Sequence, residues 1–309
     1  MKFLERAFDD ANQVWKYVVV FLCAILLWPM IGSIPLILVS LLPYLMEHGI
    51  GNLPADNAAI TGAYLGNNLR FFLLLLSTAI SLLLTVQMVK ILHRRTFPEV
   101  VNGRKNLRTG RVWTGAGVWF ALMAITYAAD FLLCREDYVV QFDLLRFIPL
   151  CLISLVMIPL QTASEEFLFR GYLMQGFAAL TRKRWIALLV PALCFGLMHG
   201  FNPEIAEFGF WAIMPQYIWF GLFFGLVAML DDGIELSIGL HAANNIFLSL
   251  FATHRSSALP TDAVLEVVHI HPMKDTLLLV VLSLIAGLYL ARKYRWSLRR
   301  VRQSPLRDY

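Results

Sequence analysis

Charged residues are scarce in this sequence. Asp, Glu, Lys and Arg make up 15% of its 309 residues, whereas 59% are hydrophobic. The runs 17–46 and 147–164 contain no charged residue at all. This composition excludes an ordinary soluble domain and favours a membrane protein. The first uncharged run is also too long for a signal-peptide core, which usually has about 7–15 apolar residues.

Cysteines are few, and the common metal-binding motifs CxxC and HExxH are absent from the sequence. The sequence has four cysteines, none in a CxxC pair, and it contains no HExxH motif. A disulfide framework is therefore not expected, and the cysteines are interpreted as small packing residues. The formal charge of +5 does not indicate a nucleic-acid partner, because the basic residues lie in loops beside apolar runs. The apolar runs instead predict that the chain is embedded in a lipid bilayer.

The apolar runs predict an all-α, polytopic membrane protein with about eight transmembrane helices and an intramembrane active site. The predicted spans are 17–46, 71–89, 112–134, 147–181, 185–199, 208–230, 236–253 and 276–291. With eight spans, twenty Lys and Arg residues fall in segments on the side of both termini and four in the opposite loops. Because cytoplasmic loops are enriched in Lys and Arg, both termini are expected in the cytoplasm.

Two acids and an arginine enter the fourth span directly after eighteen uncharged residues. They are Glu165, Glu166 and Arg170. Ionisable residues inside membrane spans are costly and usually face a bundle interior or a water-filled cavity, so a functional site is expected here. Glu166 and Arg170 are four residues apart and can pair on one helix face. Glu165 points about 100° away, and we expect it to be free for chemistry.

Two later spans carry the polar residues that complete the pattern. His199 lies at the end of the fifth span, and His241 and Asn245 lie one helical turn apart in the seventh. If the fourth and fifth spans form a hairpin, Glu165 and His199 both lie roughly 22–26 Å from the turn and can face each other. His241 and Asn245 are expected at a shallower level, roughly 14–20 Å from their own turn.

The motifs EExxxR, FxxxH and HxxxN, in this order, are similar to those of the type II CAAX prenyl endopeptidase family, also called CPBP or ABI intramembrane proteases. The resemblance covers roughly residues 147–250. It implies a hydrolase in which the first glutamate and first histidine act on water and the HxxxN pair assists. We accordingly expect an N-terminal transmembrane region (1–146), a catalytic core (147–253), and a last span with a basic tail (254–309).

The residue types suit this reaction. Glu165 can act as the base for a water held between it and His199, while His241 and Asn245 can stabilise an oxyanion. Glu166 and Arg170 are expected to support Glu165. The expected substrate is a membrane-associated protein or a lipidated, CAAX-type peptide. Because the adjoining turns at 182–184 and 231–233 are predicted to be cytoplasmic, we expect access from the cytoplasm.

The same residues are compatible with three alternative functions. Glu165, His199 and His241 could present ligands to zinc, which would make the protein a metalloprotease. Intramembrane Glu, His and Asn also occur in proton-coupled transporters, although these should show two related halves with broken helices, and none is evident. A non-catalytic membrane scaffold or bacteriocin-immunity protein is the third alternative.

Overall fold

The computed structural model describes residues 2–8, 12–49 and 65–297. Part of the predicted loop 47–69 and the basic tail beyond residue 297 lie outside these described residues. The described chain is a bundle of helices with one small sheet, so the predicted all-α fold class is confirmed.

The helices follow the apolar runs and end at polar or left-handed residues. Arg94, Arg182, Asp232 and Arg295 each adopt a positive φ just after a helix. The helices are α1 (Lys2–Glu5), α2 (Val14–Leu22), α3 (Trp28–Gly32), α4 (Ile34–His48), α5 (Asn67–His93), α6 (Phe97–Asn102), α7 (Thr109–Leu133), α8 (Leu144–Glu166), α9 (Met174–Thr181), α10 (Arg184–Met198), α11 (Pro203–Phe208), α12 (Phe210–Asp231), α13 (Glu235–Phe251) and α14 (Pro272–Tyr294).

Two π-helical segments continue neighbouring helices. Cys23–Leu27 joins α2 to α3, and Phe167–Leu173 joins α8 to α9. In each case the chain remains helical on both sides. The second segment begins directly after Glu166, so the acidic motif spans the change from α-helix to π-helix.

Within the described residues, six helical segments are long and apolar enough to cross a membrane. They are Val14–His48, Asn67–His93, Thr109–Leu133, Leu144–Thr181, Phe210–Asp231 and Pro272–Tyr294. The fifth and seventh predicted spans correspond to α10 and α13, which have only 15 and 17 residues. Because a spanning helix needs about 20 residues, helix length does not confirm the predicted count of eight. The multi-pass membrane fold itself is supported by the six longer segments.

Helix α13 occupies the centre of the bundle. Every residue from Glu235 to Asn244 is buried. This helix packs against α7, α8 and α12, while α10 packs against α12. Glycines allow α10 and α12 to approach closely, since a Cβ at Gly221 would lie 2.6 Å from the Ala192 carbonyl oxygen and one at Gly196 would lie 2.7 Å from Ile218 Cγ1. Functional residues on α13 are therefore held by neighbours on several sides.

A three-stranded sheet gathers the loops at one end of the bundle. Its strands are β1 (Tyr138–Val140), β2 (Ala252–Thr253) and β3 (Leu265–Val267). The middle strand β3 pairs antiparallel with β1 and parallel with β2. The sheet thus ties the segment before α8 to the segments that follow α13.

Candidate active site

The carboxylate of Glu166 is the most deeply buried part of the site. Its side chain is fully buried, and its Oε1 accepts a hydrogen bond from Arg170 Nη1 at 2.8 Å. This is the ion pair that the sequence predicts. The Arg170 guanidinium also donates to the Phe220 carbonyl and lies over the Phe195 ring, 3.9 Å from its centroid. Several contacts therefore compensate the burial of this charge.

Glu166 also binds His241, which the sequence analysis did not predict. The same Oε1 lies 2.8 Å from His241 Nδ1. An ionised carboxylate can only accept hydrogen bonds, so Nδ1 must carry the hydrogen. The opposite ring nitrogen, Nε2, faces Glu165 Oε2 at 3.7 Å. One carboxylate therefore orients the imidazole toward the other.

Glu165 has a hydrogen-bond partner of its own on the preceding helical turn. Gln161 Nε2 donates to Glu165 Oε1, and Gln161 Oε1 accepts from Asn245 Nδ2 at 3.1 Å. Glu165 Oε2 is buried and makes no hydrogen bond within the described residues. Gln161 is thus a partner of Glu165 that the sequence analysis did not identify.

The side-chain amides around Asn245 form a chain of hydrogen bonds in which all the donors point the same way. Trp119 Nε1 donates to Asn244 Oδ1 at 3.1 Å, and Asn244 Nδ2 donates to Asn245 Oδ1 at 3.1 Å. The chain continues through Gln161 to Glu165. An indole N–H can only donate and a carboxylate can only accept, so the two ends fix the direction of every bond between them. Each bond polarises the next toward the Glu165 carboxylate.

His199 approaches the site from the end of α10. Its Nδ1 lies 2.8 Å from the Phe195 carbonyl oxygen and therefore carries a hydrogen, which leaves Nε2 as an acceptor in the neutral ring. The ring stacks on Tyr217 with centroids 4.3 Å apart. No hydrogen bond or ion pair joins His199 to Glu165 in the described structure, so the two residues meet only across a cavity.

That cavity has a volume of about 470 Å³, within the usual range for ligand pockets. Its lining includes all four residues proposed from the sequence for the reaction, namely Glu165, His199, His241 and Asn245. Gln161, Asn244 and Tyr217 also line it. The depth difference expected for His241 does not separate it from Glu165. Residues from α8, α12 and α13 and from the end of α10 therefore line one cavity, which is large enough to hold water.

The residues as placed do not fit a zinc site. Among the described residues, no group of three or more His, Cys, Asp or Glu side chains is arranged to hold a metal ion. His241 Nδ1 is occupied by Glu166, and His199 Nδ1 by a backbone carbonyl. The ligand set considered from the sequence, Glu165, His199 and His241, is thus not brought together as a metal centre.

Sequence reasoning missed Gln161, Asn244 and Trp119. Gln161 lies four residues before Glu165 in an otherwise apolar run, and that spacing on a helix was the available signal. Asn244 adjoins Asn245, but neighbouring positions on a helix do not share a face. Trp119 lies 125 residues away from Asn244, and no local pattern links the two.

Together these features define a polytopic membrane protein with a carboxylate, histidine and amide cluster inside its helical bundle. Residues 145–247 match the family described as "Type II CAAX prenyl endopeptidase Rce1-like". The resemblance drawn from the three motifs is thereby confirmed for this segment. The matched segment contains all three motifs, from Glu165 to Asn245.

One curated relative extends the similarity over most of the chain. "Uncharacterized protein YyaK" of Bacillus subtilis (strain 168) is 28% identical over 288 residues, which cover 92% of this chain and 94% of the relative. No solved structure matches the chain significantly. The similarity to the relative includes the region before residue 145, which the family match leaves out.

Proposed function

We propose that this protein is an endopeptidase that hydrolyses a peptide bond of a membrane-associated polypeptide with water activated by Glu165 and His199. The observation that carries this proposal is the shared cavity, in which Glu165, His199, His241 and Asn245 converge. A general base must lie within reach of the proton that it removes, either directly or through one water. A cavity bounded by Glu165 and His199 offers that position.

In the proposed reaction, Glu165 takes a proton from water while the water oxygen attacks the carbonyl carbon of the scissile bond. The tetrahedral intermediate then collapses, the C–N bond breaks, and the proton passes from Glu165 to the leaving nitrogen. The products are a carboxylic acid and an amine, and Glu165 is again a carboxylate. Glu165 therefore acts first as a base and then as an acid.

The oxyanion of the intermediate needs hydrogen-bond donors, which we assign to Asn245 Nδ2 and His241 Nε2. The amide nitrogen of Asn245 has two hydrogens and gives one to Gln161, so one remains. His241 already donates through Nδ1, so Nε2 can donate only when the ring is an imidazolium.

The chemical identity of the substrate is proposed more broadly than the family description. A lipidated, CAAX-type terminus and an unmodified hydrophobic segment both suit an intramembrane cavity lined by apolar and polar groups. The discriminating substrates are a farnesylated CAAX peptide and its unprenylated counterpart, offered to the same purified protein. Faster turnover of the farnesylated peptide would assign the prenyl group a binding role.

The proposal is tested with purified protein and a quenched fluorescent hydrophobic peptide, comparing wild type with Glu165→Gln. Turnover by the wild type alone supports an endopeptidase, and equal signals from both proteins would refute it. Comparative proteomics of membrane fractions from wild-type and Glu165→Ala cells would identify natural substrates. Treatment with a chelator, followed by zinc, tests the metalloprotease alternative directly, because only a metal-dependent enzyme loses activity and regains it.

A further inference from the structure

In the part of the chain that the structure describes, the catalytic cavity extends toward one end of the bundle only. Beyond Glu165 its lining continues through the loops that precede α8, follow α10 and connect α13 to α14. The loop residues that line it include Tyr138, Asn202, Thr253, Ser257, Val267 and His269. Strands β1, β2 and β3, which hold these loops together, each contribute to the lining. The sheet therefore forms the rim of the cavity mouth.

The mouth also contains a partly buried histidine, His254. Burial lowers the pKa of His254, although the nearby Glu204 and Glu207 act against this shift. His254 and Glu204 both line the cavity. The path between the loops and Glu165 is therefore polar near the mouth, while Phe208, Ile213 and Leu278 give it apolar walls. Such a passage suits an extended peptide with hydrophobic side chains.

The opposite end of the bundle is closed by a buried ionic cluster. Arg108 Nη2 lies 2.5 Å from Glu235 Oε2, and Arg108 and Arg111 both lie 3.2 Å from carboxylate oxygens of Asp231. Asn102 also donates to Glu235. Burial works to lower the pKa of Arg108, but hydrogen bonding and the charges of Glu235 and Asp231 raise it above its ordinary value. The Arg108 charge is thus firmly held.

Backbone contacts reinforce this closure. The Ile234 amide donates to the Val101 carbonyl at 2.9 Å, and the Phe3 amide donates to Asp232 Oδ1 at 3.1 Å. Helices α1 and α6 thereby cover the turn between α12 and α13. None of the residues in this cluster or in these contacts lines the cavity.

The closed end is also the strongly basic end. It carries the seven Lys and Arg residues between Lys90 and Arg111 and the group Arg182–Arg184. The loops of the open end carry four basic residues, Arg135, Arg146, Arg255 and Lys274, and Arg70 lies in the first turn of α5 at the same end. Lys and Arg accumulate in cytoplasmic loops of membrane proteins, so the closed end is assigned to the cytoplasm. The turns at 182–184 and 231–233, near which access was expected, do not line the cavity.

We propose that the site takes its substrate from the extracytoplasmic side of the membrane. This inference rests on the proposed peptidase function and narrows its substrate class. The substrate is a hydrophobic segment of an exported or membrane-anchored polypeptide that lies at the outer membrane surface. A lipidated terminus displayed at the cytoplasmic surface would meet the closed, ion-paired end of the bundle.

The side of the opening can be tested without any assumption about catalysis. In a variant lacking Cys23, Cys134, Cys151 and Cys194, single cysteines are introduced as Ser257→Cys in the mouth and Lys105→Cys at the closed end. Intact cells are treated with a membrane-impermeant maleimide. Labelling of Ser257→Cys in intact cells, and of Lys105→Cys only after permeabilisation, supports the inference. The reverse pattern overturns it.

A second experiment uses activity. Right-side-out and inverted membrane vesicles receive the quenched fluorescent hydrophobic peptide, coupled to a polyethylene glycol chain that prevents crossing. Turnover confined to right-side-out vesicles, and absent with Glu165→Gln, supports extracytoplasmic entry. Turnover confined to inverted vesicles overturns entry from outside but keeps the peptidase function. Inactivity in both vesicle types and in detergent refutes the peptidase function, and the maleimide pattern then decides the side of the opening by itself.

Discussion

Oε1 of Glu166 lies 2.8 Å from Arg170 Nη1 and 2.8 Å from His241 Nδ1. A single carboxylate oxygen thus joins the acidic motif of α8 to the histidine motif of α13. Sequence reasoning gave Glu166 a supporting role through Arg170 alone. The contact with His241 adds a second role, because the orientation and hydrogen position of that ring depend on Glu166.

For Glu166→Gln we therefore expect losses of both stability and activity. Removing one partner of a buried ion pair typically costs about 3–5 kcal/mol, because the other charge is left uncompensated. Thermal unfolding of the purified protein and peptide turnover should both be measured. Full turnover in this variant would contradict the role in orienting His241.

The double variant Glu166→Gln/Arg170→Met separates the two roles. Removing the stranded guanidinium should restore much of the stability, because replacing both members of a buried pair is often nearly neutral. Activity should remain low, since His241 still lacks its carboxylate. Recovery of activity together with stability would mean that Glu166 acts only through Arg170.

Glu165→Gln should abolish turnover while leaving the fold intact. The amide keeps the shape of the side chain but cannot take a proton from water, and general bases contribute roughly 10²–10⁴-fold to rates. Turnover and thermal unfolding of this variant should be compared with those of Glu207→Gln, which removes an exposed acid outside the cavity lining. A Glu165→Gln protein with wild-type turnover would remove Glu165 from the mechanism.

Gln161→Met tests the directional amide chain. The substitution retains side-chain length but removes the donor to Glu165 and the acceptor for Asn245. A hydrogen bond to a charged group is worth about 1.5–3 kcal/mol, so kcat should fall roughly ten- to hundredfold with a smaller change in KM. Gln87→Met, at an exposed position of α5, is the matched control. Equal kinetics in the two variants would leave Gln161 with no positioning role.

Asn245→Ala removes the proposed oxyanion donor. The loss of one such donor lowers kcat by roughly 10²–10³-fold. Because Asn245 also binds Gln161, the double variant Asn245→Ala/Gln161→Met should lose less than the two single effects combined. Single and double variants are compared by peptide turnover at saturating substrate. Fully additive effects would show that the two residues act independently.

The sequence was informative wherever chemistry follows from a residue at an unusual position. Glu165, Glu166, Arg170, His199, His241 and Asn245 interrupt apolar helices, and the cost of placing them there marks them out. The Glu166–Arg170 pair follows from helical spacing alone. The bond between Glu166 and His241 does not, because it depends on how α8 and α13 are rotated against each other. Gln161 and Trp119 were not predicted as site residues, because uncharged polar and aromatic residues are common in membrane helices.

The end of the bundle at which the cavity opens was not predictable from helix lengths. Depth along a helix locates a residue between two membrane surfaces but does not reveal which surface is open. Here the answer depends on α1 and α6, two short helices that cover one end, and on a sheet whose strands come from distant parts of the chain. The family resemblance covers none of α1 and α6, so it gave no indication of this closure.

Two glycines bring α13 and α7 into close contact. A Cβ at Gly239 would fall on the Val112 carbonyl oxygen and lie 2.9 Å from the Ala116 amide nitrogen. On the facing helix, a Cβ at Gly115 would lie 2.5 Å from the Leu236 carbonyl oxygen. The two backbones can therefore approach this closely only because both positions are glycine.

Gly239→Ala should force the helices apart, weaken the Trp119–Asn244 hydrogen bond and displace His241, two residues further along α13. Overpacking typically costs about 1–3 kcal/mol, which should appear as a lower unfolding temperature together with reduced turnover. Gly117→Ala on α7 is the control, because nothing lies within 4 Å of its new Cβ and alanine favours helix by up to about 1 kcal/mol. If Gly239→Ala were as stable and active as Gly117→Ala, the α7–α13 contact would not be what positions His241.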